Sequence, residues 1–146
     1  MAKQFIFNRM IFALTLVGLL ISGYLLYTYV ADAPIVCVNS GCEIVRESQY
    51  AYFLGIPLPV YGLLMYIFVF IISFLRTTLD KIDHHHLANK LIFLSALLGV
   101  VISAYLTYLE AFVIKAYCMW CVASAVLVTL ILILSAIEIR RLKGNL

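Results

Sequence analysis

Four cysteines stand in two close pairs, and cysteine pairs trade electrons. In AYCMWCVAS, Cys118 and Cys121 form a C-x-x-C. On a helix, positions i and i+3 share a face about 5–6 Å apart, close enough for a disulfide to open and close with little backbone movement. A long apolar run follows, which places Cys118 in the first turn of a helix. Free N–H groups and the positive end of the helix dipole favour a thiolate there, and a thiol of lowered pKa leaves faster in exchange. Cys121 lies one turn deeper, where a hydrophobic oxidant reaches it. Taken alone, the motif also fits a static bridge or two buried thiols acting as small hydrophobes.

In PIVCVNSGCEIV, Cys37 and Cys42 have four residues between them. Ser40 and Glu43 have the spacing of a capping box, which predicts a short helix from about Gly41 to Tyr50. Ile44, Val45 and Tyr52 then face lipid or protein, while Glu43, Arg46 and Glu47 face water. Such a helix is too short to span and is expected to lie along a membrane surface. Gly55-Ile56-Pro57 ends it and redirects the chain. The expected product is a lid carrying a mobile thiol pair.

The elements that must position these thiols follow from composition. Of 146 residues, 66% are hydrophobic and 12% charged, against about half and a quarter in a soluble domain. Residues 10–30, 57–75, 91–109 and 116–137 lack formal charge. Each run is about 20 residues long, enough to cross about 30 Å of hydrocarbon as a helix, and lipid requires that the backbone be helical. The expected fold class is an all-α integral membrane protein. It is a single domain over 1–146, a four-transmembrane-helix bundle with a horizontal helix in a redox loop over 31–56. The first run is longer than the apolar core of a signal peptide and ends in Tyr24, Tyr27 and Tyr29, as an interfacial belt does. An uncleaved helix is expected.

Lys3, Arg9, Arg76, Lys81, Lys90, Arg140, Arg141 and Lys143 fall at one end of these helices, leaving Arg46 and Lys115 at the other. Basic connections stay inside, so both termini are expected in the cytoplasm and all four cysteines on the extracytoplasmic side. Oxidising conditions there favour disulfide chemistry. Two dithiols on one side make a relay, one touching soluble protein and the other a component of the membrane. Four thiols also suit tetrahedral zinc, but an oxidising face disfavours zinc thiolates, and no metal is expected. The remaining candidates have plainer readings. His84-His85-His86 reads as a solvated connection. Glu110 and Lys115 are placed to polarise the redox site, but snorkelling to the headgroups is the simpler account; Trp120 fits either packing on a quinone or an interface anchor; Gly99, Ser103 and Ala104 read as small residues permitting close packing. Membrane lipid surrounds such a chain, and no nucleic-acid partner is expected.

A cysteine pair with a short spacer, Ser48 six residues later, Gly55-Ile56-Pro57 leading into a helix, and a C-x-x-C opening the last helix together resemble the vitamin K epoxide reductase family, specifically its compact prokaryotic members. The resemblance covers nearly the whole chain. It implies a four-helix bundle around a quinone, ubiquinone or menaquinone. It also implies that Cys37–Cys42 is the loop disulfide, attacked at Cys37 by a separate DsbA-like thioredoxin-fold protein. Cys42 would then attack Cys118, Cys121 would pass electrons to the ring, and Ser48 would lie near it. Vertebrate members carry Thr-Tyr-Ala after the C-x-x-C. Here Ala123-Ser124-Ala125 stands at that place, which weighs against epoxide reduction. The chain ends at Leu146 without a fused thioredoxin domain, so the partner is expected to be a separate protein. The implied function is a membrane thiol:quinone oxidoreductase driving disulfide formation. The alternatives are a quinone or quinone-epoxide reductase recycling the quinone, and a disulfide-stabilised membrane scaffold. In the unrelated quinone-linked disulfide-forming proteins of bacterial inner membranes the two cysteine pairs come in the opposite order.

Overall fold

The computed structural model describes residues 2–78 and 82–144; Lys81, one of the basic residues used for orientation, lies outside them. Four long helices dominate: α1 (Ala2–Val30), α3 (Leu58–Thr78), α4 (Ile82–Tyr108) and α5 (Met119–Gly144). Four stretches, Phe5–Val30, Leu58–Thr78, His84–Ile114 and Met119–Gly144, are long and apolar enough to cross a membrane. The protein is an all-α, multi-pass membrane bundle. Its helices neighbour one another in the ring α1-α3-α4-α5.

Leucines such as Leu20, Leu64 and Leu98 point outward, while Asn8, Thr15, Ser22, Ser73, Asn89 and Ser135 are buried. This distribution suits a lipid solvent. Lipid tails are as apolar as leucine, so helices associate through close packing and hydrogen bonds instead. Gly99 brings α4 against its neighbours as the sequence predicts: a Cβ there would come within 2.6 Å of Met65 Sδ and 2.7 Å of a Val128 methyl. Gly18 leaves room on α1 for the Tyr66 ring, whose nearest atom would lie 2.3 Å from an added Cβ.

At the end of the bundle away from the cysteines, Asn8 Nδ2 donates to the Ser73 carbonyl at 3.1 Å and Asn89 Nδ2 to the Ser135 carbonyl at 3.3 Å. Between them Arg76 and Glu138, both buried, form a bidentate ion pair, Nη1 to Oε2 at 3.2 Å and Nη2 to Oε1. The pair explains why α3 and α5 outrun their uncharged segments, 57–75 and 116–137. Each charge that ends a run is neutralised by the other, so both helices continue. The Arg141 guanidinium lies 4.6 Å above the Phe7 ring and ties the ends of α5 and α1. His84, His85 and His86 are not in a connection. They belong to the first turns of α4, which begins at Ile82.

The loop after α1 differs from expectation in detail. Its helix, α2, runs Gly41–Glu47 and stops before Tyr50, because Ser48 is extended (φ −70°, ψ 151°). A single 3₁₀ turn, Gln49–Ala51, follows. The capping box does not form, as Ser40 makes no side-chain cap bond. Asn39 Oδ1 accepts the Gly41 N–H instead, at 3.2 Å, and Glu43 Oε1 accepts the Ile35 N–H at 2.8 Å. Arg46 does not simply face water. Its Nη1 donates to the carbonyls of Thr28 and Ala33 at 3.1 and 2.8 Å, and its Nη2 pairs with Glu43 at 2.7 Å. The loop is thereby pinned to the top of α1. Two short strands, β1 (Tyr52–Phe53) and β2 (Ile56–Pro57), then pair antiparallel. Leu54 (φ 53°) and Gly55 (φ 77°) make the turn between them, and a tight hairpin of this kind requires positive φ at both central residues.

Candidate redox site

Cys37 and Cys42 are joined in a disulfide, while Cys118 and Cys121 are free thiols. The two sulfurs of the loop bridge have different surroundings. Cys37 is half-buried, between Val36 (72% exposed) and Val38 (92% exposed). Cys42 is 1% exposed and packs with Ile21, Leu25, Ile35, Val45 and Cys118. Gly41 makes this approach possible, because a Cβ there would sit 2.2 Å from the Tyr117 carbonyl oxygen. The first turn of α2 therefore lies directly against the residue before Cys118.

Cys118 is 2% exposed and sits at the cap of α5, one residue before the helix and the span begin at Met119. Its carbonyl accepts the Val122 N–H at 3.1 Å, closing the first turn. The thiol is held below the ordinary value of 9.0, chiefly by the hydrogen bond from the Cys121 side chain; the Cys121 and Trp120 amides add to this, while burial and the Glu110 charge oppose it. The lowering expected for a cysteine at a helix start is present, with the neighbouring thiol as its largest cause. Cys121 follows one turn along, half-buried.

Beneath the two pairs lies a cavity of about 150 Å³. Ser22 of α1, Met65 and Tyr66 of α3, Ser103 of α4, and Cys121 and Ser124 of α5 line its walls, and Cys42, Val45 and Ser48 lie at its outer end. Both free thiols reach it. Ser48 also lines the cavity, with its Oγ–H donated to the Val45 carbonyl at 2.7 Å. The oxygen lone pairs remain available as acceptors.

Three contributors escape a reading of motifs. Glu110 is 3% exposed rather than snorkelling, and its Oε2 accepts the Cys118 N–H at 3.4 Å. It belongs to a π-helical segment, Leu109–Ile114, that continues α4 and ends at Lys115 in a left-handed conformation (φ 58°). The only signal in the sequence is a lone acid eight residues before Cys118 in an apolar stretch. Tyr66 crosses the bundle to Ser124, sharing a 2.9 Å hydrogen bond with its hydroxyl. Trp120 turns away from the cavity. Its Nε1–H donates to the Val36 carbonyl at 2.7 Å and its ring packs on Tyr24 at 5.0 Å, so it fastens the loop beside Cys37 to α5.

The Vitamin K epoxide reductase family matches over residues 9–136. The chain belongs to that family. The match takes in both cysteine pairs, the loop between α1 and α3, and most of the four spans. Vitamin K epoxide reductase family membership makes the protein a membrane oxidoreductase whose relatives act on quinones. The cavity suits that chemistry. Its volume is that of an engineered apolar cavity of about 150 Å³ known to admit benzene, so an aromatic-sized ring fits, and Tyr66, Ser124 and Ser48 offer hydroxyls at its edge.

Proposed function

We propose that this family member is a thiol:quinone oxidoreductase that drives disulfide formation in exported proteins. The observation that carries the reading is the two-faced loop disulfide. Cys37 opens outward between exposed valines, whereas Cys42 is buried beside Cys118 over the cavity. A reduced, separate DsbA-like thioredoxin-fold partner attacks Cys37 and leaves oxidised, with Cys37 and Cys42 reduced. Cys42 then attacks Cys118 of an oxidised Cys118–Cys121 pair. Cys37 resolves the Cys42–Cys118 bond, leaving the loop bridge closed and both inner thiols reduced, the arrangement seen here. Re-forming Cys118–Cys121 sends two electrons and two protons to the quinone, ubiquinone or menaquinone, which leaves as quinol. Ser48, beside the cavity, contacts the ring in this reading. The basic residues gathered away from the cysteines support a cytoplasmic location for that end.

A scaffold held by permanent bridges is less well supported, since one pair is closed and the adjacent pair open in the same molecule. The test is stopped-flow reduction of decylubiquinone by purified protein with a reduced thioredoxin-fold partner. Cys121→Ala is expected to lower turnover by at least about a hundredfold, the scale of losing a group that acts in the chemical step. Unchanged turnover rejects the scheme.

A further inference from the structure

We propose that Glu110 is the proton carrier of the inner thiol pair, taking the proton from Cys121 and delivering it to an oxygen of the quinone. The inference rests on the thiol:quinone reading and adds a catalytic residue to it. Among the residues lining the cavity, Glu110 is the one acidic side chain; Cys118 and Cys121 line the same cavity, and Glu110 Oε2 lies 3.4 Å from the Cys118 amide nitrogen, at the start of the turn that carries Cys121. A carboxyl group buried at membrane depth is expensive and calls for a reason. Structural stabilisation is a poor one here. The single hydrogen bond the carboxylate receives from the backbone is long, 3.4 Å from the Cys118 amide. Among the described residues no cation pairs with it. Lys115, at the end of the same segment, is exposed, and its N–H donates to the Glu110 carbonyl rather than its side chain reaching the carboxylate. A carboxylate accepts about four hydrogen bonds, so Glu110 keeps capacity for a thiol proton.

The backbone around it is also unusual. Single π-turns within helices cluster at functional sites. This one, together with the Ala116 N–H donated to the Glu110 carbonyl at 3.1 Å, folds the chain back so that residue 110 meets residue 118. The step balances. Oxidising Cys118 and Cys121 makes one S–S bond and frees two electrons and two protons. The quinone takes both electrons and both protons. Glu110 carries the Cys121 proton to one ring oxygen and ends as the carboxylate it began as; the Cys118 proton is lost to water when that thiol ionises, and water supplies the proton at the other ring oxygen. The titratable groups lining this cavity with Glu110 are Cys118 and Cys121 on α5, Tyr29 on α1, Tyr61 and Tyr66 on α3, and Tyr50 of the loop; Glu43 and Arg46 lie on α2, packed against the same segment, and Lys115 is exposed.

Glu110→Gln keeps an oxygen to accept the Cys118 amide and removes the base. The full chain, reduced with dithiothreitol and mixed with decylubiquinone, is followed through a single turnover. The variant is expected to reduce the quinone about a hundredfold or more slowly. In the unmodified protein the rate should fall at low pH as the carboxylate protonates, and this limb should vanish in Glu110→Gln, which a merely structural role would not cause. Glu110→Asp should recover most of the rate. No reduction by the unmodified protein removes the thiol:quinone reading and this role with it. Reduction at equal rate and with the same pH profile in Glu110→Gln removes the role alone. Should that variant fail to accumulate, the redox infrared difference spectrum of the unmodified protein decides. A carboxyl band that changes when Cys118–Cys121 closes supports the carrier, and its absence overturns it.

Discussion

At the scale of residues, the site works by giving chemically identical groups unequal surroundings. Cys118 and Cys121 are both thiols of one motif, yet Cys118 stands at the helix cap, facing the Trp120 and Cys121 amides, while Cys121 lies in the helix. Thiolate absorbance of the protein with its loop bridge closed should show Cys118 titrating below the ordinary 9.0. The sign follows directly. The group is charged above its lowered pKa and becomes protonated as pH falls through it. Exchange at Cys118 should therefore be flat down to that pH and drop about tenfold per unit below it. Cys121→Ala removes the largest cause, so Cys118 should titrate higher in that variant; an unchanged titration refutes the assigned cause. The four cysteines stood out because their chemistry is tied to residue type and spacing, whereas Ser48 entered only through the family resemblance. Glu110 was open to two readings, since an acid near the end of an apolar run looks the same whether it reaches out to headgroups or turns inward to the redox site, and the structure turns it inward.

At the scale of elements, the proposed relay requires α2 to approach and withdraw from the start of α5. Its contact with the start of α5 depends on Gly41, which has no side chain to meet the Tyr117 carbonyl. With an added Cβ only 2.2 Å from that oxygen, Gly41→Ala must push the helix away. Overpacking of this kind costs about 1–3 kcal/mol. The expected outcome is an intact Cys37–Cys42 bridge but poor transfer. In a Cys37→Ala, Cys121→Ala background, non-reducing gels should show much less Cys42–Cys118 adduct when Gly41→Ala is added, and equal yield rejects the role given to Gly41. Arg46 sets the other limit. Its pairing with Asp32 adds little, since that carboxylate is 94% exposed at 3.5 Å; the bonds to two carbonyls and to Glu43 do the anchoring. From sequence, the existence of a short helix after Ser40 was readable, but its length and cap were not. Asn39 takes the Gly41 amide while Ser40 makes no cap bond, and Glu43 finds Ile35 and Arg46, partners that only the folded loop brings near.

At the scale of the whole molecule, one end of the bundle carries the two cysteine pairs and the other a buried ion pair that ties α3 to α5. Arg76→Met leaves Glu138 charged and buried without a partner, which typically costs about 3–5 kcal/mol. Replacing both, Arg76→Met with Glu138→Leu, should recover most of that loss in thermal unfolding in detergent. A double variant no more stable than the single one would show that the pair is not what the bundle loses. The four spans were visible in sequence because hydropathy registers length and charge. Their true ends were not, because a charge reads as a boundary until its countercharge is known to face it. The same pair bears on biogenesis. Arg76 and Glu138 are 62 positions apart, and a ribosome adding about 5–20 residues per second separates their synthesis by roughly 3–12 seconds. During that interval the arginine waits at the membrane without its counter-ion, and the nascent hairpin can settle only when the closing helix arrives to claim it.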